Sequence, residues 1–395
     1  MRRLITIFFA GLLAFCVLEL TARIYLFPQY RAMLPDMYAA HPVLGHYNKP
    51  NLHVRRYNPM NYDVVNRTNS LGFRGLEKDR ENELAGIWVA GASNTFGGFV
   101  EDDETYTAQL RRHGYRAANL ASEGHGLISQ TQMIRMLAQQ GYKPRAVLLG
   151  ITMYQAISDY SSAGDVFTQP IGSAFQPAAI SPKRPRENLR EAASELLAAI
   201  PLSLQPVRAR LLKSSALYGW GKVGIMGIPM FRDWTLKIGL RNDLYLVRNF
   251  DLNLLRPLTS GNPATANIES TARYIAMLGD LVEQQFNVPF GVVLIPSLQQ
   301  IDPESLHRFT THYGLTQEDL DPSRAPELLL ASLRRLGVSA LDTLPALKGS
   351  GIPGPKLHFP DDGHLTAPAH AVIGRAIASW LSSGMDKGAT IGRQE

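Results

Sequence analysis

The feature that most constrains the fold is a regular alternation of short apolar runs with helical stretches, which begins at Gly86. The apolar runs have the length and residue types of buried strands, and they read GIWVA, RAANL, AVLLGI, PFGVVLI and VSALD. Stretches with helical periodicity separate them, such as DETYTAQLRRHG and SQTQMIRMLAQQG, and each of these two ends at a glycine. This alternation predicts an α/β fold, in which a five-stranded parallel sheet carries helices on both faces.

The alternation is interrupted between about residues 160 and 262. A Pro-rich segment, TQPIGSAFQPAAISPKRPREN, leads there into ENLREAASELLAAI and an aromatic-rich stretch. We therefore expect a helical insertion in one domain that extends over residues 81–385. Residues 28–80 are rich in Pro and Asn and lack a helical period, which predicts an extended strap before the domain. The polar tail, residues 386–395, is expected to be disordered.

The N-terminus carries an uncharged apolar run over residues 4–18, directly behind two arginines. This run is short for a membrane span, which needs about 20 residues. However, Glu19 and Arg23 can pair along one face of a helix, and apolar residues continue beyond them. No small-x-small cleavage site follows. We therefore predict that residues 1–27 form an uncleaved signal-anchor, with a cleaved signal peptide and a buried core helix as the alternatives. The arginines favour a single-pass protein of the inner membrane, with its domain in the periplasm or outside the cell.

Composition narrows the classes of function. Hydrophobic residues make up 45% and charged residues 19% of the chain, which is sufficient for a sizeable core. The net charge is +6, but the basic residues are scattered among acidic ones and form no basic stripe, so nucleic-acid binding is not indicated. The single cysteine, Cys16, excludes an intrachain disulfide and a cysteine-based zinc site. The histidines lack the spacing of metal ligands, and we expect neither a metal nor another cofactor.

A serine in a glycine-rich turn, GASNTFGG, follows the first predicted strand. A dinucleotide-binding loop would need glycine at positions 93 and 96, and a phosphate loop would need a Gly-Lys-Ser/Thr sequence. The nucleophile elbow GxSxG is matched only in part, because position 95 is threonine. Parallel sheets concentrate chemistry at the carboxyl ends of their strands. Ser93 is therefore a candidate nucleophile, with a simple turn or helix-capping serine as the alternative.

A serine nucleophile needs a histidine base and usually an acid that orients the base. In FPDDGHLTAPAH, His364 follows Asp361 and Asp362 and precedes the last predicted helix. One loop thus holds both an acid and a base. The alternative is a helix N-cap with acidic residues in the first turn.

With these residues, the sequence resembles the SGNH, or GDSL-like, hydrolase superfamily. Its GDS block is similar to GAS at 91–93, its second block to NLASEGHG with Gly124 as the oxyanion glycine, and its last block to DDGHL with His364 as base. NSLGFRG and the strap resemble a membrane-anchored bacterial branch, akin to the alginate-type O-acetyltransferases. The resemblance covers most of residues 41–382 except the insertion, and it implies a three-layer α/β/α fold.

The third block departs from the superfamily, which places an oxyanion-donating Asn after the middle strand. Here the strand continues as VLLGITMYQAISD, and Tyr154 or Gln155 occupies the matching position. Losing one oxyanion donor costs roughly 100-fold or more in rate. We favour Gln155 as the substitute, because its amide offers the same donor as Asn. His125, next to Gly124, is a candidate substrate-binding residue.

The resemblance implies ester chemistry through an acyl-serine intermediate, on acyl esters, especially acetyl esters, of an exported or cell-surface carbohydrate. Such a protein is an esterase if water accepts the acyl group and an O-acyltransferase if a sugar hydroxyl does. The usual spacing of the superfamily selects Asp361 as the acid, whereas that of the alginate-like branch selects Asp362, which we favour slightly. The alternative, which the missing Asn favours, is a non-catalytic carbohydrate-binding or assembly protein that retains the fold.

Overall fold

The structure is a computed structural model that describes residues 2–25, 35–58, 61–156, 160, 163–167, 215–218, 221, 230, 263–313, 315–359 and 362–384. The chain divides into two compact units. The first comprises Met1–Asp36, Arg55–Val64 and Ser181–Asp243. The second comprises Met37–Val54, Val65–Ile180 and Leu244–Glu395. The predicted insertion, apart from short pieces, and the predicted disordered tail lie outside the described residues.

The described strands are β1 (Tyr38–His41), β2 (Gly45–Asn48), β3 (His53–Asn58), β4 (Tyr62–Arg67), β5 (Ile87–Gly91), β6 (Ala117–Asn119), β7 (Ala146–Thr152), β8 (Phe290–Ile295) and β9 (Ser339–Asp342). The described helices are α1 (Arg2–Tyr25), α2 (Arg80–Leu84), α3 (Ser93–Phe96), α4 (Tyr106–Arg112), α5 (Leu127–Gln139), α6 (Met153–Ala156), α7 (Pro263–Phe286), α8 (Leu298–Ile301), α9 (Pro303–Tyr313), α10 (Arg324–Arg335), α11 (Leu344–Gly349), α12 (Gly354–Leu357) and α13 (Ala367–Ser382).

The last five strands form one sheet in the order β6-β5-β7-β8-β9, and every neighbouring pair is parallel. The five-stranded parallel sheet predicted from the alternation is thus confirmed, with all five strands at the predicted runs. Parallel pairing aligns the carboxyl ends, so that Gly91 of β5 lies opposite Gly150 of β7. Residues that follow these strands therefore meet at one edge of the sheet.

Successive residues of a strand point to opposite faces, and each face of this sheet has its own core. Trp88 and Ala90 of β5 pack into the core that contains residues of α5, α7 and α10. Ile87 and Val89 pack into the core that contains residues of α4, α11 and α13. Burial on both faces explains why the strands are continuous apolar runs instead of alternating patterns. Helices on both faces give the three-layer α/β/α arrangement.

Two glycines, one at the end of β5 and one within β7, allow the turn after β5 to lie close to the sheet. A Cβ atom at Gly91 would lie 2.0 Å from Thr95 Oγ1, and one at Gly150 would lie 2.4 Å from the same atom and 2.5 Å from the Tyr106 hydroxyl. In this space the Tyr106 hydroxyl donates a hydrogen bond of 2.7 Å to Thr95 Oγ1. Thr95, the residue that departs from GxSxG, thus fills the space above both glycines and anchors the turn that begins at Ser93.

The strap residues described contain two small sheets, in which β1 pairs with β2 and β3 with β4. The β1–β2 pair is antiparallel and joined by a tight turn at Gly45, where φ is +78°. The described strap residues thus contain extended structure in the form of two-stranded sheets.

α1 forms a continuous helix, and its Ile5–Tyr25 segment has a mean hydropathy of 2.2, long and apolar enough to cross a membrane. The predicted pair is present, since Arg23 Nε donates to Glu19 Oε1 at 3.0 Å. The Glu19 carboxylate also accepts hydrogen bonds from Ser215 Oγ and from the N–H groups of Ala216 and Leu217. A carboxylate in this apolar helix is thus satisfied by a turn of the same unit.

Gly150 in β7 yields a first prediction. Gly150→Ala is expected to lower the free energy of unfolding by about 1–3 kcal/mol, because its Cβ would overlap two buried side-chain oxygens that are hydrogen-bonded to each other. Chemical denaturation of the full chain in detergent measures the change. Gly349→Ala is the matched control, since a Cβ there meets no atom within 4 Å. Equal losses in the two variants would contradict the close approach.

Candidate active site

The site lies where the strand order reverses. The chain runs from β5 outward to β6 and then crosses back to β7 on the other side of β5. In open α/β sheets this reversal opens a crevice at the carboxyl ends of the strands. The turn with Ser93 follows β5, the loop with Gly124 follows β6, and the segment with Gln155 follows β7. Three segments selected from the sequence thus leave the sheet at neighbouring positions.

Ser93 and His364 are in hydrogen-bond contact, although 271 residues separate them in the sequence. The distance between Ser93 Oγ and His364 Nε2 is 2.8 Å. His364 Nδ1 is hydrogen-bonded to Asp362 Oδ1. A carboxylate only accepts, so Nδ1 carries the proton and Nε2 is left to accept the serine hydroxyl proton. This is the arrangement in which a serine is activated by a histidine base that an acid orients.

A glycine allows acid and base to lie only two residues apart. Gly363 has φ of +75°, a left-handed conformation, and its N–H donates to the Phe359 carbonyl at 2.6 Å. The turn brings the Asp362 carboxylate to the near side of the imidazole of His364. Asp361, the other candidate acid, lies outside the described residues, so its role stays a prediction.

Two residues that sequence reasoning did not select hold the base in place. Asn94 Oδ1 accepts a hydrogen bond of 3.0 Å from the N–H of Leu365, which ties the serine turn to the histidine loop. The ring of Phe99 lies 4.3 Å, between centroids, from the His364 ring and is 7% exposed. It therefore forms an aromatic wall that limits rotation of the imidazole. Neither residue carries a signal in one sequence, since both roles depend on a loop that is distant along the chain.

Two buried polar side chains fix the serine turn from behind. Arg74 of NSLGFRG is 2% exposed, pairs with Asp102 at 3.0 Å and donates to the carbonyls of Phe96 and Gly97. Asn119, at the end of β6, donates to the Thr95 carbonyl at 2.9 Å. NSLGFRG therefore has a structural role, since its Arg74 supports the turn that carries the serine.

The loop between β6 and α5, residues 120–126, carries the predicted oxyanion glycine. Gly124 is exposed and has φ of +77°, a conformation that favours glycine. Asn119 links this loop to the serine turn, because its Oδ1 also accepts from the N–H of Ala121 at 3.1 Å. Within the described residues the Gly124 N–H meets no hydrogen-bond acceptor. Its donation to an oxyanion stays a prediction.

Gln155 contacts the same loop from α6. Its Nε2 donates to the His125 carbonyl at 3.2 Å, and its Oε1 accepts from the N–H of Thr152. The amide carries two hydrogens, of which this bond uses one. Direct donation to an oxyanion stays a prediction, but the contact gives Gln155 a second role in supporting the loop. Tyr154 lies in the same helix, and its side chain is outside what the structure describes.

His125 does not present its ring to a substrate. The residue is 3% exposed, and its Nε2 donates to the His46 carbonyl at 2.7 Å. The expected substrate contact is therefore not supported by the geometry, because the ring faces the strap. Burial lowers the pKa of His125 to about 4, which keeps the ring neutral at physiological pH.

Two further buried histidines flank the site. His370 Nδ1 accepts from the N–H of Tyr106, and the ring stacks on that tyrosine. His358 Nε2 donates to the Pro296 carbonyl. Burial lowers the pKa of His370 to about 3 and that of His358 to about 4. Both rings are neutral in the folded protein over most of the acidic range.

These two histidines make the free energy of unfolding depend on pH. Their pKa values in the folded state lie below the ordinary value of about 6.5, so the unfolded chain binds more protons between that pH and about pH 3–4. Stability therefore falls as pH is lowered through this window. His370→Asn keeps an acceptor for the Tyr106 N–H but removes the titrating ring.

The variant is expected to lower the slope of unfolding free energy against pH by about 1.4 kcal/mol per pH unit between pH 6 and pH 4. Denaturant titrations at a series of pH values measure this slope. The unfolding free energies of His370→Asn and of the wild type should change in parallel with pH above pH 8, where the histidine ring is neutral in both the folded and the unfolded chain. Parallel curves down to pH 4 would contradict the buried, neutral histidine.

No family model matches the sequence, and no curated protein matches it. One solved structure to which the chain is similar is LAE5, an alpha/beta hydrolase enzyme from the metagenome of Lake Arreo, Spain. The two share 12% sequence identity over 75% of this chain and 94% of that chain, with a TM-score of 0.35. At this TM-score the likeness carries no conclusion on activity, and the function proposed below rests on the geometry.

Proposed function

We propose that the chain is a membrane-anchored serine hydrolase or O-acyltransferase that cleaves acyl esters through an acyl-serine intermediate. The observation that carries the proposal is the continuous hydrogen-bonded series from Ser93 through His364 to Asp362 at the carboxyl edge of the sheet. A capping serine or a loop histidine alone would not need the other two groups. His364 and Asp362 are also accessible, since their side chains are 25% and 27% exposed.

The reaction begins when Ser93 Oγ attacks the acyl carbonyl carbon and its proton moves to Nε2 of His364. Asp362 holds the imidazole by Nδ1 and stabilises the positive charge that forms. The carbonyl oxygen becomes an oxyanion, which the N–H groups of Ser93 and Gly124 stabilise. When the tetrahedral intermediate collapses, the alkoxide leaves and takes the proton from His364. The product is acyl-Ser93.

The second half of the reaction runs in reverse with another nucleophile. His364 removes a proton from water or from a sugar hydroxyl, whose oxygen attacks the acyl carbonyl. Collapse then returns the proton to Ser93 Oγ and releases a carboxylic acid or a new ester. Only the acceptor differs between the esterase and the acyltransferase. The resemblance to the alginate-type branch supports an acetyl group on an exported or cell-surface carbohydrate.

The helix α1 supports a location of the protein in a membrane. Its length and apolar composition support a signal-anchor in the inner membrane. Arginines at positions 2 and 3 support a cytoplasmic N-terminus and a catalytic domain in the periplasm or outside the cell. A carbohydrate substrate is consistent with that side of the membrane.

Substitution of the triad tests the proposal directly. Ser93→Ala is expected to abolish hydrolysis of p-nitrophenyl acetate by the full chain in detergent. Asp362→Asn should lower kcat by roughly 100-fold or more, because the amide no longer holds the required imidazole tautomer. Ser382→Ala, in which an exposed serine is replaced, controls for the substitution itself.

Asp361→Asn serves as the matched control for the acid and should leave turnover near that of wild type. If Asp361→Asn proved the damaging change, the acid would be assigned to Asp361 instead. Wild-type turnover that survives in Ser93→Ala would disprove the serine mechanism and favour a non-catalytic role for the fold.

The link between the serine turn and the histidine loop gives a further prediction. Asn94→Ala removes the acceptor for the Leu365 N–H and should lower kcat about 10-fold with little change in KM, since it loosens the distance between nucleophile and base. Asn94→Asp keeps an acceptor at the same position and should retain most of the activity. Steady-state kinetics of the three proteins provide the measurement. Equal losses in both variants would show that the hydrogen bond is not the cause.

A further inference from the structure

Three consecutive residues of the strap, 46–48, are hydrogen-bonded along the loop that carries Gly124, and the last two of them bond its first half. The Tyr47 hydroxyl donates to the Leu120 carbonyl at 3.3 Å, and Asn48 Nδ2 donates to the Ala121 carbonyl at 3.0 Å. Ser122 Oγ donates in turn to Asn48 Oδ1 at 3.0 Å. The strand β2 thus fixes the first half of the loop, residue by residue.

His46 fixes the part of the loop that contains the glycine. Its Nε2 lies 2.7 Å from the Glu123 carbonyl oxygen, and a carbonyl only accepts, so Nε2 is the donor. The His46 carbonyl accepts from His125 Nε2 at 2.7 Å. Gly124 therefore lies between two residues that are both bonded to His46. The His46 ring also packs below the glycine, since a Cβ at Gly124 would lie 3.4 Å from His46 Cε1.

The planar peptide group between Glu123 and Gly124 lets the bond from His46 fix the direction of the Gly124 N–H. The Glu123 carbonyl and the Gly124 N–H belong to one peptide group, which is trans and planar. In a trans peptide the two point in opposite directions. A hydrogen bond that holds the carbonyl toward the strap therefore holds the N–H away from it. A bond to the carbonyl also polarises the N–H and strengthens it as a donor.

We propose that His46 is a positioning residue, which aims the Gly124 N–H at the oxyanion by holding the carbonyl of the same peptide group. This inference rests on the proposed serine mechanism, in which Gly124 supplies an oxyanion donor. In this role the strap takes part in catalysis by orienting a donor to the oxyanion. Because glycine at φ of +77° has no side chain to restrain it, the orientation of its peptide group depends on such outside contacts.

Two variants of His46 separate the hydrogen bond from the packing of the ring. His46→Phe keeps an aromatic ring but has no donor. We expect kcat for p-nitrophenyl acetate to fall 10- to 100-fold with KM unchanged, because an oxyanion donor stabilises only the transition state and this donor would no longer point at the oxyanion. His46→Gln has an amide N–H at about the position of Nε2 and should restore most of kcat. His41→Asn, in the same strap, keeps the acceptor for its own turn and controls for the loss of a strap histidine.

All measurements use the full chain in detergent, with the thermal unfolding midpoint recorded for each variant. If the phenylalanine variant does not fold, His46→Asn, which is too short to reach the carbonyl, replaces it as the variant without a donor. His46 is only partly buried, which favours folding of both. The rate at which an organophosphate labels Ser93 should fall in parallel with kcat, because the phosphoryl oxygen of the reagent takes the position of the oxyanion and needs the same donors.

The outcomes distinguish this inference from the function on which it rests. An active wild type with an equally active His46→Phe would overturn the inference alone. So would a loss of activity that His46→Gln does not restore, or one that appears mainly in KM, since either indicates packing rather than orientation. A wild type without turnover would overturn both the serine mechanism and the role of His46.

Discussion

Parallel pairing of five strands is the constraint on which the rest of the structure depends. Parallel strands need long crossover connections instead of tight turns, and the carboxyl ends of all five strands lie at one edge of the sheet. The reversal of strand order around β5 opens that edge between the loops that follow β5, β6 and β7. The turn that carries Ser93 and the loop that carries Gly124 leave the sheet at neighbouring positions for this reason. The base arrives from the far end of the chain, in the loop before α13.

Polar groups that the core encloses hold these loops in register. Arg74 and Asn119 satisfy the carbonyls that follow Ser93, and residues 46–48 satisfy those that precede Gly124. Buried carbonyls without donors would cost about 1–3 kcal/mol each, so these contacts specify the conformation of the loops as well as stabilising it. The strap therefore contributes to both sides of the site. In such an arrangement the reacting groups are positioned before substrate binds.

Much of the fold was predictable from sequence because burial on two faces leaves a strong pattern. The runs GIWVA and AVLLGI are apolar throughout, and the helices between them end at glycines such as Gly114 and Gly141. The strand order was not predictable, since periodicity does not state which strands pair. Ser93 and His364 were predicted from residue type and order, and the resemblance to SGNH hydrolases added Gly124. Their contact depends on the strand order and so had to come from the structure.

The supporting residues were mostly missed, for a physical reason. Asn94, Phe99 and His46 act on groups 77 to 271 residues away or on a distant ring, and no local spacing records such a contact. His125 was expected at the substrate because it is next to Gly124 in sequence. Adjacent residues in a loop point in different directions, and here the glycine is exposed while the histidine is buried. Arg74 carried a weak signal, a single cation within NSLGFRG followed by the acidic run EDDE that contains its partner Asp102.

The central claim is that Ser93 becomes acylated during turnover. Mixing the full chain with p-nitrophenyl acetate, quenching in acid at early times and measuring peptide masses tests this claim most directly. The account predicts that the peptide containing Ser93 gains the mass of one acetyl group, and that release of p-nitrophenol begins with a burst of about one equivalent per chain. An acetyl group found only on lysines or on other serines, or hydrolysis without any acylated peptide, would contradict it.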